Sequence, residues 1–172
     1  MKLRSISVLI LFLLAGSVLA ADNPLKTLDA MIGKFQCKGM AFASPMGPEH
    51  ATTATVESKW VLGGQWAGYT YAEKKTTANP KPFVVSGYMG YDPAMKKFVN
   101  GGVDNMGGYG TAQADGWMGD DLVFVGPYNG GGMTMNGRDT FTKSANGLKH
   151  MYEVEENGTW KKMSQETCTR MK

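Results

Sequence analysis

Cysteine and histidine each occur only twice in 172 residues. That is too few for a zinc cluster or a densely stapled miniature scaffold. His50 and His150 stand in no metal-ligand spacing and no nucleophile-elbow context, so a hydrolase triad has no support in the chain. Charge is also sparse, at 19% of residues, and nearly balanced between 18 basic and 15 acidic side chains. The basic doublets Lys74-Lys75, Lys96-Lys97 and Lys161-Lys162 are isolated. Nothing forms the concentrated stripe that nucleic acid requires, so DNA and RNA are excluded as partners. No apolar run reaches the roughly 20 residues of a membrane helix, which excludes membrane insertion by helices. Glycine, in contrast, is plentiful at 23 residues against 7 prolines, the balance of a protein made of short strands and tight turns.

The first twenty residues read as a secretory signal peptide. Lys2 and Arg4 form a basic head, Ile6 to Leu14 is almost unbroken aliphatic sequence, and Val18-Leu19-Ala20 supplies a cleavage site before Ala21. Leu14-Ala15-Gly16-Ser17 has the outline of a lipoprotein processing site, but Ser17 stands where the lipidated cysteine belongs, so no lipid anchor is expected. The address is periplasmic or secreted, with a retained N-terminal anchor as the alternative. Removing residues 1–20 takes two bases with it and lowers the formal charge from +3 to +1. The remainder, 21–172, is expected to be a single domain, able to bury about 68–70% of its unfolded surface.

One helix is expected, at the mature start. Asn23 is its N-cap, Pro24 its first residue, Leu25, Leu28 and Ile32 its apolar face, and Gly33 its stop. At about two turns it cannot stand alone and is expected to plug one end of a sheet structure. Beyond it the hydropathy pattern has period two. Thr53, Thr55, Glu57 and Lys59 alternate with Ala54, Val56, Ser58, Trp60 and Leu62, as in a half-buried strand. Turn dipeptides recur at Gly63-Gly64, Asp115-Gly116, Asn136-Gly137, Asn146-Gly147 and Asn157-Gly158, although Asn136-Gly137 also suits a bulge. Gly130 to Gly132 reads as a mobile loop. Strands are expected near 34–43, 51–62, 65–73, 82–91, 96–104, 109–118, 121–127, 133–142, 148–156 and 159–171. About ten short strands with short links predict an all-β, antiparallel, up-and-down β-barrel, with a two-sheet sandwich as the alternative.

The cysteines lie in the first and last predicted strands. If those strands pair antiparallel with Cys37 opposite Cys168, the same register sets Phe35 opposite Arg170. One alignment then offers a disulfide and a guanidinium–aromatic contact, both closing the barrel. Two free buried thiols are the alternative.

The order and spacing of several segments carry a resemblance. They are Leu28 to Phe35, Leu62-Gly63-Gly64, Gly90-Tyr91-Asp92-Pro93, Trp117-Met118-Gly119-Asp120 with Leu122 and Phe124, Arg138-Asp139-Thr140, and Gly158-Thr159-Trp160 with Arg170. Across residues 25–171 the chain resembles a bacterial family of small secreted proteins with a domain of unknown function, related to the calycins, which include lipocalins, fatty-acid-binding proteins and nitrobindins. Gly33-Lys34-Phe35 and Arg170 stand where calycins typically carry Gly-x-Trp and a closing arginine, with Phe in place of Trp. The resemblance implies a lipocalin-like barrel with an internal cavity and supplies no ligand. Nitrobindin-type proteins use a histidine near the end of the barrel to hold haem, whereas strand 159–171 here has none.

Trp60, Trp66, Tyr88, His150 and Tyr152 are the expected pocket lining, because alternating aromatics would furnish a barrel interior. Met133, Met135, His150 and Met151 offer soft donors to copper(I), but methionine's commoner role is core filler, and Asp92, Asp104, Asp120 and Asp121 could suggest calcium, but each sits by a turn where Asp ordinarily caps the backbone. No cofactor, metal or catalytic residue is expected. The functional expectation is reversible binding of a small hydrophobic ligand without enzymatic chemistry. The alternatives are a structural or interaction protein with a filled barrel and a metal or haem binder.

Overall fold

The computed structural model describes residues 23–44 and 47–172; the signal-peptide segment lies outside these residues. Eleven strands form one antiparallel sheet: β1 (Gly33–Ala41), β2 (His50–Val61), β3 (Trp66–Glu73), β4 (Val84–Asp92), β5 (Lys97–Asp104), β6 (Tyr109–Ala114), β7 (Trp117–Met118), β8 (Asp121–Gly130), β9 (Met133–Ser144), β10 (Gly147–Glu156) and β11 (Thr159–Arg170). Successive strands pair from β1 to β6 and from β7 to β11, β1 pairs with β11, and β6 pairs with β8, bypassing the two-residue β7. The ring is therefore closed by ten strands, the expected number, with β7 a short flap on β8. The predicted strand 109–118 is divided because Asp115-Gly116 turns the chain there, with Gly116 at φ +126°.

The first and last strands pair in the expected register, with Phe35 opposite Arg170 and Cys37 opposite Cys168. The cysteines are joined as a disulfide spanning 131 residues of sequence, and the Arg170 guanidinium lies 4.6 Å from the Phe35 ring centroid.

The N-terminal helix (Pro24–Met31) is a 3-10 helix capped by Asn23, whose Oδ1 accepts from Leu25 N at 3.1 Å. Its three residues per turn put Leu25, Leu28 and Met31 on the buried face, so Met31 takes the place expected for Ile32 under α-helical spacing. The helix closes one barrel end. Trp60 Nε1 donates to Asp29 Oδ1 at 3.0 Å, Trp117 Nε1 to Thr27 O at 3.0 Å, and Arg170 to the carbonyls of Ala30 (2.9 Å) and Ile32. Beneath it Phe35, Leu122 and Phe124 are fully buried.

Asn157-Gly158 is a hairpin tip with positive φ at both residues, whereas Asn136-Gly137 lies within β9 and turns nothing. Gly130 to Gly132 is no loose loop. Gly130 pairs with Met133, and Gly131 (φ +58°) and Gly132 (φ +76°) make a two-residue turn whose handedness matches the strand twist.

Candidate functional site

The barrel is solid at the helix end and hollow toward the other. The hollow has a volume of about 1280 Å³ and a mostly apolar lining. Its mouth lies among the β1–β2, β3–β4 and β5–β6 loops, where Phe42, Pro82 and Met106 reach its wall. Strand alternation decides which side chains face it. On β10, Leu148, His150, Tyr152 and Val154 turn inward, on β3 Tyr69, Tyr71 and Glu73, and on β9 Asp139 and Phe141.

Three polar groups interrupt the apolar wall. His150 Nε2 meets Asp139 Oδ1 at 2.8 Å while its ring stacks on Phe141, with centroids 4.7 Å apart. Tyr69 donates to Asn100 Oδ1 at 3.0 Å. Glu166 Oε1 accepts from Thr52 Oγ1 at 2.7 Å and from Tyr71 at 3.0 Å, with Glu73 Oε1 3.3 Å from the same phenol. Glu73 Oε2 also holds the β3–β4 loop through Asn79 Nδ2 (2.6 Å) and Phe83 N (2.9 Å). At the mouth Tyr128 donates to Asp104 Oδ2 at 2.7 Å.

The electrostatics follow this arrangement. Burial and then the Glu166 and Glu73 charges raise the Tyr71 pKa, and burial followed by the Asp139 charge raises that of Tyr69. Burial and the bond to Asp104 push Tyr128 up to about 12. Burial likewise raises Tyr152, with Asp139 adding to it. These phenols remain protonated donors at neutral pH. For His150, burial acts against the charged ring, but the Asp139 hydrogen bond and the Asp139 and Glu166 charges outweigh it and raise the pKa.

Of the five expected lining residues, the hollow brings together His150 and Tyr152 alone. Trp60 turns inward below the cavity and supports the helix, because that barrel end is where the helix packs. Trp66 and Tyr88 are on the outer face. Ala67, Tyr69 and Met89 take the inward phase of β3 and β4, so their even-numbered neighbours must point out. Tyr88 is accordingly 53% exposed, and the Trp66 ring lies across Gly90. The same alternation divides the proposed copper ligands, since His150 faces the hollow and the adjacent Met151 does not. Among the described residues one cluster, Cys37, Glu166 and Cys168, has metal-ligand spacing, and its two sulfurs are bonded to each other.

Sequence reasoning missed Tyr69, Tyr71, Asn100, Asp139 and Glu166. Asp139 enters the sequence reading only within Arg138-Asp139-Thr140 and Glu166 not at all, yet the inward phase fixed by Cys168 on β11 already places Glu166 inside. Arg138, adjacent to Asp139, points outward, forms an ion pair with Glu153 at 2.6 Å and lies 4.4 Å from the Trp160 ring centroid.

A family profile described as protein of unknown function (DUF1579) matches residues 21–170. No match was found among curated proteins. The fold is similar to the crystal structure of Rv2717c from M. tuberculosis, with a TM-score of 0.65 and 13% identity over 87% of this chain and 98% of that one. At that identity the likeness concerns the barrel and not its contents.

Proposed function

The chain belongs to the DUF1579 family, whose description assigns no activity, and we propose from the barrel's geometry that it binds a small, mainly hydrophobic molecule reversibly, without covalent chemistry. The observation that carries this reading is the cavity of about 1280 Å³, larger than the roughly 300–1,000 Å³ of ordinary ligand sites and apolar with a few convergent polar groups. Water in so apolar a space finds few hydrogen-bond partners, and the apolar body of a ligand would replace it with dispersion contacts. In support of a non-enzymatic role, His150 pairs with Asp139, but among the described residues no serine, threonine or cysteine hydrogen bonds to it as an activated nucleophile. The Cys37–Cys168 disulfide favours an oxidising compartment, in keeping with periplasmic or secreted placement. No helix among the described residues is long and apolar enough to cross a membrane.

A second reading, an interaction protein, draws on the outward patch of Tyr88, Val103 and Tyr109, all more than half exposed. The cavity counts against the filled barrel that accompanied it. Native mass spectrometry of protein purified from its own host separates the two. A co-purifying organic mass is expected for the carrier, and bare protein bound to a macromolecular partner would overturn it.

A further inference from the structure

Resting on the carrier reading, we propose that the cavity selects a ligand with an apolar body and an organic cationic head, a protonated or quaternary amine, with Glu166 as its counter-ion. The charge inventory of the lining is lopsided. Glu73, Asp104, Asp139, Glu156 and Glu166 face the hollow, against no arginine, one lysine, Lys81, which is exposed on the β3–β4 loop, and two histidines, of which His150 is bound to Asp139.

Four of the five carboxylates are already committed. Asp139 has His150; Glu73 holds Asn79 and Phe83; Asp104 accepts from the backbone N–H groups of Met106 and Gly108 and from Tyr128; Glu156 pairs with Lys161 at 3.4 Å. Glu166 differs. It is only 6% exposed, its Oε1 takes both of its hydrogen bonds, no described residue donates to Oε2, and the nearest cationic side chain, His150 opposite it on β10, gives its Nε2 to Asp139 instead. A buried carboxylate with no cation hydrogen-bonded to it is costly, and a cationic ligand at Oε2 offsets that cost while leaving the Thr52 and Tyr71 bonds in place.

The head is organic rather than a metal ion. Apart from the group containing the disulfide sulfurs, the described His, Cys, Asp and Glu side chains form no cluster of three close enough to share one ion. Beside the Thr52 hydroxyl and Glu73, the surroundings of the carboxylate are mainly aromatic rings. Tyr71, whose hydroxyl touches Glu166, and Tyr69 beside it on β3 present ring surface to a spread-out cation, which cation–π attraction favours. A fatty acid would bring its own negative charge into the same low-dielectric space and be repelled.

The test compares three probes of equal chain length on the full protein by isothermal titration calorimetry: decyltrimethylammonium, decanol and decanoate. Decyltrimethylammonium is expected to bind about tenfold tighter than decanol, with decanoate weakest, as a close desolvated charge pair warrants. In Glu166→Gln the cation's advantage over decanol is expected to disappear. Decanol or decanoate binding as well as the cation to the natural chain, or an advantage surviving in Glu166→Gln, overturns the charge selection and leaves the carrier reading standing. Binding of none of the three overturns the carrier reading itself. The comparison on the natural chain decides the matter even if the variant fails to fold.

Discussion

His150 is held between opposing influences, and the balance has a measurable sign. Its side chain keeps 21% of its surface, which faces the hollow, and the attraction of Asp139 raises its pKa against the desolvation that would lower it. A folded-state pKa above the unfolded value of about 6.5 stabilises the fold fully below that pH, and the contribution fades as pH rises through the folded pKa. The natural chain should therefore exceed His150→Gln in thermal stability most below the unfolded pKa, near about pH 5.5, with the gap narrowing as the pH rises above it. A gap that widens with pH would mean that the ring is buried neutral. None of this could be seen in the linear sequence. His150 and Asp139 are eleven residues apart and meet only because the Ala145-Asn146 turn folds β10 back on β9, setting His150 opposite Phe141 and diagonal to Asp139. The alternation of β10 did reveal that His150 and Tyr152 share a face. Trp66 and Tyr88 were misplaced because β3 and β4 carry aromatic residues on both faces, Trp66 and Tyr88 on one and Tyr69, Tyr71 and Tyr91 on the other, so aromatic content gives no sign of which face is inside.

At the scale of elements, the short helix depends on the barrel more than on itself. It is too short to persist alone, and its carbonyls at Ala30 and Ile32 are satisfied by Arg170 from the far end of the chain. Arg170→Ala removes both bonds and the stacking on Phe35. Because the side chain is exposed, the expected loss is about 1–3 kcal/mol. Arg170→Lys should fall between, keeping the charge but not the two-pronged geometry. Urea unfolding checks the order, and Arg170→Ala equal to the natural chain would show that the helix is held by its apolar face alone. This helix was legible from Asn23, Pro24 and Leu28; its 3-10 character was not, because choosing Met31 over Ile32 as the third buried residue depends on the surface it meets. The β6–β8 closure was equally hidden. It is irregular, and Gly126 approaches β6 so closely that a Cβ there would meet Thr111 O at 2.1 Å, an approach that no hydropathy pattern encodes.

For the whole molecule, the decisive step is the joining of head to tail. An up-and-down sheet has two edges until its first and last strands pair, and open edges recruit other chains. Every other strand pair except β6–β8 joins strands that follow one another in the chain through a turn or a single loop, whereas β1 and β11 must find each other across the length of the domain. Cys37 and Cys168 were readable as the mark of that pairing because they sit alone in the two terminal strands and fix one register. Linking residues 131 apart removes loop entropy from the unfolded chain, worth around 4–5 kcal/mol before strain is subtracted. Cys37→Ala/Cys168→Ala is expected to lose about 2–5 kcal/mol by denaturant titration and to become indifferent to reductant, while the natural chain under reductant moves toward the variant. Hydrogen exchange locates the effect. Amides of β1 and β11 should lose protection first, since their pairing alone has no covalent neighbour once the bond is gone, while the β8–β9–β10 hairpins stay protected. If all strands lose protection together, the ring opens as one cooperative body and the disulfide acts on its overall stability rather than on this junction.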